Sequence, residues 1–293
     1  MENRGLNILV KRLVKQITRS QWRQQLGFAL IGFVCVLLFA ACSVDQSNRP
    51  TASGLMGDPN QVEVLKVAVN PAFPPFEMKG ADGALIGFDI DLINAVGNAA
   101  GFIIDFDEMS FDNVIRSIYG NQADIAISAI TINRDRAEQF SFSRPYFKSG
   151  LAIAVAGDNT DITSLQSLQG KRVAVQRDTT SEAQAKSIPN IKIRRSSSAP
   201  EALQALANGE VDAVINDAPV TAYAINSGSI SGVKLVAPTL TEEFYGIATP
   251  KNSPNLEKIN AGLATVLNDG TYARIYRKWF ATEPPQLPET API

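Results

Sequence analysis

The sequence predicts two α/β lobes, each built on a mostly parallel sheet. Three observations carry that expectation. The chain has 293 residues, 45% of them apolar, which suits about two domains at roughly 100–200 residues each. It repeats itself. "VLKVAVN" ends at Asn70 and "GKRVAVQ" at Gln176, both short β-branched runs stopping at a side-chain amide. Helix signals fall between the strands in both halves, and a recurring strand–helix order implies parallel pairing.

The elements follow in order. "VIRSIYGNQADIAISAI" and "ALQALANGEVDAVINDA" each hold a short amphipathic helix that stops near Gly120 or Gly209, then an aspartate, Asp124 or Asp212, then an apolar strand. The strands lack strict alternation, as expected where both faces are covered. "GFDIDLINAVGNAAG" opens with Asp89 and Asp91, read as helix caps favoured by the dipole. "SAPEALQALANG" opens with the capping box Ser198-x-x-Glu201, and Gly209 suits the position after the helix. "EEFYGIATP" reads as a strand returning to the first lobe, and residues 254–280 as two helices broken at Asn268–Gly270. Two crossings, near Ser149–Ile153 and Glu242–Gly246, make a hinge. Ligands of such sheets bind beyond the carboxyl ends of the strands. That places Asn70 and Ala129–Thr131 on one side of a cleft, and Gln176 and Asn216–Asp217 on the other.

The first 42 residues stand apart. Six basic residues precede the uncharged run "LGFALIGFVCVLLFAAC", the pattern of a secretory signal. The run is shorter than the roughly 20 residues that span a bilayer comfortably. Beyond residue 42 the chain carries 21 basic and 28 acidic residues, a net charge of about −7, which argues against nucleic acid as a partner. With Cys35 inside the leader, only Cys42 remains and no disulfide is expected. The expected organisation is a signal at 1–42, a flexible tether at 43–61, lobe 1 at 62–150, lobe 2 at 151–241, a returning lobe 1 segment at 242–282 and a disordered tail at 283–293.

Two resemblances sharpen this reading. "LFAAC" resembles the lipobox of bacterial lipoproteins, with Phe39 where leucine is usual, and implies lipidation at Cys42 and an extracytoplasmic, membrane-tied location. "AFPPFE", "GFDIDLINAVG", "DIAISAITINRDRAEQFSFSRPYF", "GKRVAV" and "DGTYARIYRKWF" together resemble the family 3 extracellular solute-binding proteins, near the glutamine-binding type. The resemblance implies a two-lobed periplasmic-binding-protein fold that captures an amino acid and delivers it to the transmembrane subunits of an ABC permease. The expected protein is a monomer with no cofactor, metal or catalytic residue.

The chemistry agrees with that implication. An α-amino acid carries a carboxylate and an ammonium, and both need partners once water leaves. Arg136 offers a planar fork suited to a carboxylate, and Ala129–Thr131 add strand-end donors and acceptors. "DTTS", with Thr180, is read as opening a helix whose free amides favour an anion. Asp217 is the expected partner of the ammonium, and the family places Phe73 and Phe111 beside the ligand side chain. The glutamine-binding type has aspartate, lysine and histidine where this chain has Asn70, Gln176 and Asn216. An amide-lined pocket favours a neutral polar ligand, because an unpaired buried charge is costly; glutamine is the favoured reading. Alternatives are a basic amino-acid receptor using Glu77, a cyclohexadienyl dehydratase-like enzyme and the binding module of a sensor. The chain has no histidine, which removes the most common acid–base group from the enzyme reading.

Overall fold

The computed structural model describes residues 62–293 apart from Ala237. The leader, Cys42 and the tether lie outside the described residues. The fold is α/β and two-lobed, as expected, and its two five-stranded sheets share one layout. In the first, Glu63–Val69 pairs in parallel with Phe102–Glu108 and Ile125–Ala126, then Ala248–Thr249 runs antiparallel between Ile125–Ala126 and Ser141–Phe142. In the second, Arg172–Gln176 pairs in parallel with Lys192–Ser196 and Ala213–Asp217, then Leu151–Ala156 runs antiparallel between Ala213–Asp217 and Val233–Val236. Each sheet therefore has one reversed strand, and it is the strand by which the chain enters or re-enters that sheet.

The repeated aspartates have one job in both halves. Asp124 accepts from the amide of Lys66 at 2.9 Å, and Asp212 accepts from the amide of Arg172 at 2.8 Å. Each locks the start of one strand to its parallel neighbour. Apolar clusters cover both faces of both sheets, for instance Leu65, Val67, Leu92 and Leu263 on one face of the first, and Val173, Val175 and Ile215 on one face of the second.

Several local expectations are refined. The helix Phe88–Ala100 ends at left-handed Gly101, but its first-turn acids do not cap it. Asp89 is buried and accepts from the Ala129 amide and the Tyr146 hydroxyl, both at 2.8 Å. Asp91 accepts from Lys278 Nζ and Trp279 Nε1, both at 2.7 Å, tying this helix to Thr271–Phe280. The capping box is half right. Ser198 Oγ accepts from the Glu201 amide, but Glu201 reaches back to the amide of Ser197 rather than Ser198. The tail has no helix or strand, yet Leu287 packs against the first lobe's apolar cluster.

The return segment divides into two. Glu243–Tyr245 pairs antiparallel with Phe147–Ser149, and only then does Ala248–Thr249 join the first sheet. These paired strands are the two passages between sheets. They approach closely at Gly150, where a Cβ would lie 2.2 Å from the Thr241 carbonyl oxygen. Gly150→Ala is therefore expected to force the passages apart at a cost of about 1–3 kcal/mol, the range for overpacking. Thermal unfolding checks this as a melting temperature lowered by several degrees; an unchanged melting point would count against the tight crossing.

Candidate functional site

The strand ends of both sheets meet at a small enclosed cavity of about 20 Å³. It is lined by Phe73, Phe111, Ser128, Ala129, Thr131 and Arg136 from one half, and Gln176, Thr179, Thr180 and Asp217 from the other. Eight of the ten sequence-predicted ligand residues lie there. Asn70 and Asn216 do not. Both are buried, but the Asn70 amide donates to the Met109 carbonyl at 2.9 Å, and that of Asn216 donates to Thr221 Oγ1 at 3.1 Å. Of the three amides behind the glutamine expectation, only Gln176 faces the cavity, and its Nε2 is buried with no partner among the described residues.

Local folding explains each placement. The strand Ile125–Ala126 ends in a kink where Ala129 takes φ +47°, aiming its amide at Asp89. Residues 130–132 then pair against the returning passage, with Ile132 donating to the Phe244 carbonyl at 2.8 Å. Asn133 caps the helix Arg134–Gln139 by accepting from the Arg136 amide, which sets Arg136 in the first turn. Its guanidinium donates to the carbonyl of Thr131 at 3.0 Å and to that of Asp178 at 3.2 Å, and lies 5.6 Å from the Phe111 ring centre. Two of its five donors are thus used on backbone oxygens, one in each half. "DTTS" does open a helix, Thr180–Lys186, but the Thr179 side chain itself caps the Glu182 amide.

Electrostatics concentrate here. Asp217 ends its strand buried and receives the Tyr245 hydroxyl. Burial first, and the nearby Glu243 charge second, push its pKa up to about 7, while Tyr245 and Arg136 act against that. Burial also lowers the Arg136 pKa, against the raising influence of Glu243 and Asp217. Glu243 is buried, and its Oε2 accepts from Thr131 Oγ1 at 2.8 Å and Thr180 Oγ1 at 3.1 Å.

Beneath the cavity Glu77 accepts from Ser128 Oγ at 2.8 Å but does not line it. Burial and the adjacent Asp89 raise the Glu77 pKa well above the usual carboxylate range, and burial lifts Asp89 to about 6.

Sequence reasoning missed Ser128, Thr179, Glu243 and Tyr245. The first two sit beside residues it named. Glu243 and Tyr245 were legible only as an acid and a tyrosine two apart, hence on one face of a short strand. A larger groove of about 640 Å³, bordered by Phe140, Arg144, Lys251, Asn260 and Glu289, contains none of the predicted residues.

The profile of the bacterial extracellular solute-binding proteins, family 3, matches residues 65–282. The chain belongs to that family. Among its curated relatives is the arginine-binding periplasmic protein of Mannheimia haemolytica, 34% identical over 73% of this chain and 90% of the relative. An ancestral arginine-binding protein bound to arginine superposes with a TM-score of 0.71, at 41% identity over 74% of this chain and 98% of that one. An ancestral arginine-binding protein bound to glutamine gives 0.72, at 40% identity over 76% and 100%. No described helix of this family 3 protein is long and apolar enough to cross a membrane.

Proposed function

We propose that this family 3 protein is the substrate-binding component of an ABC importer and that its solute is a basic amino acid of the arginine type. One observation carries the reading: a guanidinium, Arg136, and a carboxylate, Asp217, line one buried cavity between the sheets, and a second carboxylate, Glu243, sits directly behind its lining residues Thr131 and Thr180. An α-amino acid would set its carboxylate on Arg136 and its ammonium on Asp217. A neutral side chain would leave Glu243 as a surplus buried negative charge, which is costly. A cationic side chain balances it. The relatives named for arginine support the same choice, and the amide argument for glutamine keeps only Gln176 at the cavity.

The second reading is glutamine. It is favoured by the unpartnered Gln176 Nε2 and by the glutamine-bound ancestral relative. A cavity of about 20 Å³ holds about one water, so entry of either ligand requires the halves to part and close again about the paired passages. Lipidation at Cys42 would tether this receptor to the membrane it serves.

Calorimetric titration of the purified protein with arginine, lysine, histidine and glutamine tests the choice. Tightest binding by a cationic amino acid is expected. Tighter binding of glutamine would reverse the charge argument, and no binding of any of them would overturn the function.

A further inference from the structure

We propose that Glu243 is a positioning residue that fixes the hydrogen-bond polarity of the cleft, by taking the hydroxyl protons of Thr131 and Thr180. The inference rests on the amino-acid reading above and concerns a residue outside the cavity lining.

A threonine hydroxyl has one proton to give. That of Thr131 is given to Glu243 Oε2 at 2.8 Å, and that of Thr180 goes to the same oxygen at 3.1 Å. Both threonines line the cavity. What they turn toward a ligand is therefore lone pairs. They can receive an ammonium but cannot donate to a carboxylate, so the carboxylate is left to Arg136 and to backbone amides. The same short strand sets the other acceptor of the cleft: Tyr245, on the same face as Glu243, donates its hydroxyl to Asp217. One face of one passage thus reserves three oxygen groups for the positive end of a zwitterion.

The arrangement also joins the halves. Thr131 follows a strand of the first sheet, Thr180 opens a helix that follows a strand of the second, and Glu243 sits on the passage between them, itself only 8% exposed. The shared oxygen meets both hydroxyls only when the halves are together. Thr241 Oγ1 approaches the other carboxylate oxygen at 3.4 Å and steadies it from the passage itself.

The test uses the full folded chain with E243A, E243Q, T131V and the double variant E243A/T131V, titrated calorimetrically with L-arginine and L-glutamine. Glutamine at residue 243 retains an oxygen that accepts from both hydroxyls but loses the charge. E243A is expected to weaken whichever ligand the wild type binds by roughly tenfold to a hundredfold, the range for losing a hydrogen bond to a charged group. E243Q is expected to recover most of that loss for glutamine and less for arginine. After T131V, adding E243A should cost clearly less than it does alone, because the two act as a unit. Should E243A fail to fold, the E243Q and T131V titrations decide. E243Q weakening glutamine as much as T131V does, or E243A and T131V adding independently, overturns the inference while leaving wild-type binding in place. A wild type that binds neither these two ligands nor lysine nor histidine overturns the functional reading as well.

Discussion

Replacing Arg136 with alanine is expected to weaken amino-acid binding by about 2–5 kcal/mol, the range for stripping one partner from a buried charge pair. The guanidinium already spends two donors on the carbonyls of Thr131 and Asp178, which fixes its plane and leaves the remaining donors for a carboxylate. Loss of the side chain also breaks a bond between the halves, so the closed state suffers together with the ligand contact. Arg136→Lys should recover little, since an ammonium does not reproduce the fork. Calorimetry on the two variants checks both statements. Affinity unchanged in the alanine variant would remove Arg136 from the site.

The second large effect concerns Asp217. Its folded pKa of about 7 lies above the ordinary aspartate value. The free protein therefore gains stability from the protonated form at low pH, and loses it as pH rises from about 4 through about 7. Ligand binding has the opposite sign. An ammonium needs the carboxylate ionised, so binding expels a proton wherever Asp217 still holds one. Affinity is expected to rise by up to about tenfold per pH unit on approaching pH 7 from below, then to level off. Glu243, Arg136 and Tyr245 face the same carboxylate and set this value, and the Asp217 charge in turn helps raise Glu77, which like Asp89 does not line the cavity. Asp217→Asn separates the two groups: it should lose about 2–5 kcal/mol of affinity at neutral pH and flatten the profile. Titrations between pH 5.5 and 8.5, repeated in buffers of different ionisation enthalpy, measure affinity and released proton together. A steep profile that survives Asp217→Asn would assign the proton to another group.

Much of this was legible in the sequence because the fold is said twice. Matching strand ends at Asn70 and Gln176, and matching aspartates at 124 and 212, are local signals, and the two sheets are mostly parallel as expected and share one strand order. What local signals could not supply was the direction in which a buried polar side chain turns. Asn70 and Asn216 stand at the right strand ends, but their amides serve Met109 and Thr221 instead of the cavity. Asp89 was read as a cap because acids favour first turns, whereas long-range contact gives it the Ala129 amide and the Tyr146 hydroxyl. Glu243 was hidden for a related reason. Its partners lie 112 and 63 residues away, and only the antiparallel passage beside Phe147–Ser149 brings them together.

A crystal structure of the protein grown with L-arginine tests the central claim most directly. The ligand carboxylate is expected within about 3 Å of the Arg136 guanidinium, and its ammonium on the Asp217 carboxylate, between the two sheets. A ligand seated in the groove beside Arg144, or held in the cleft with its carboxylate turned away from Arg136, would contradict it.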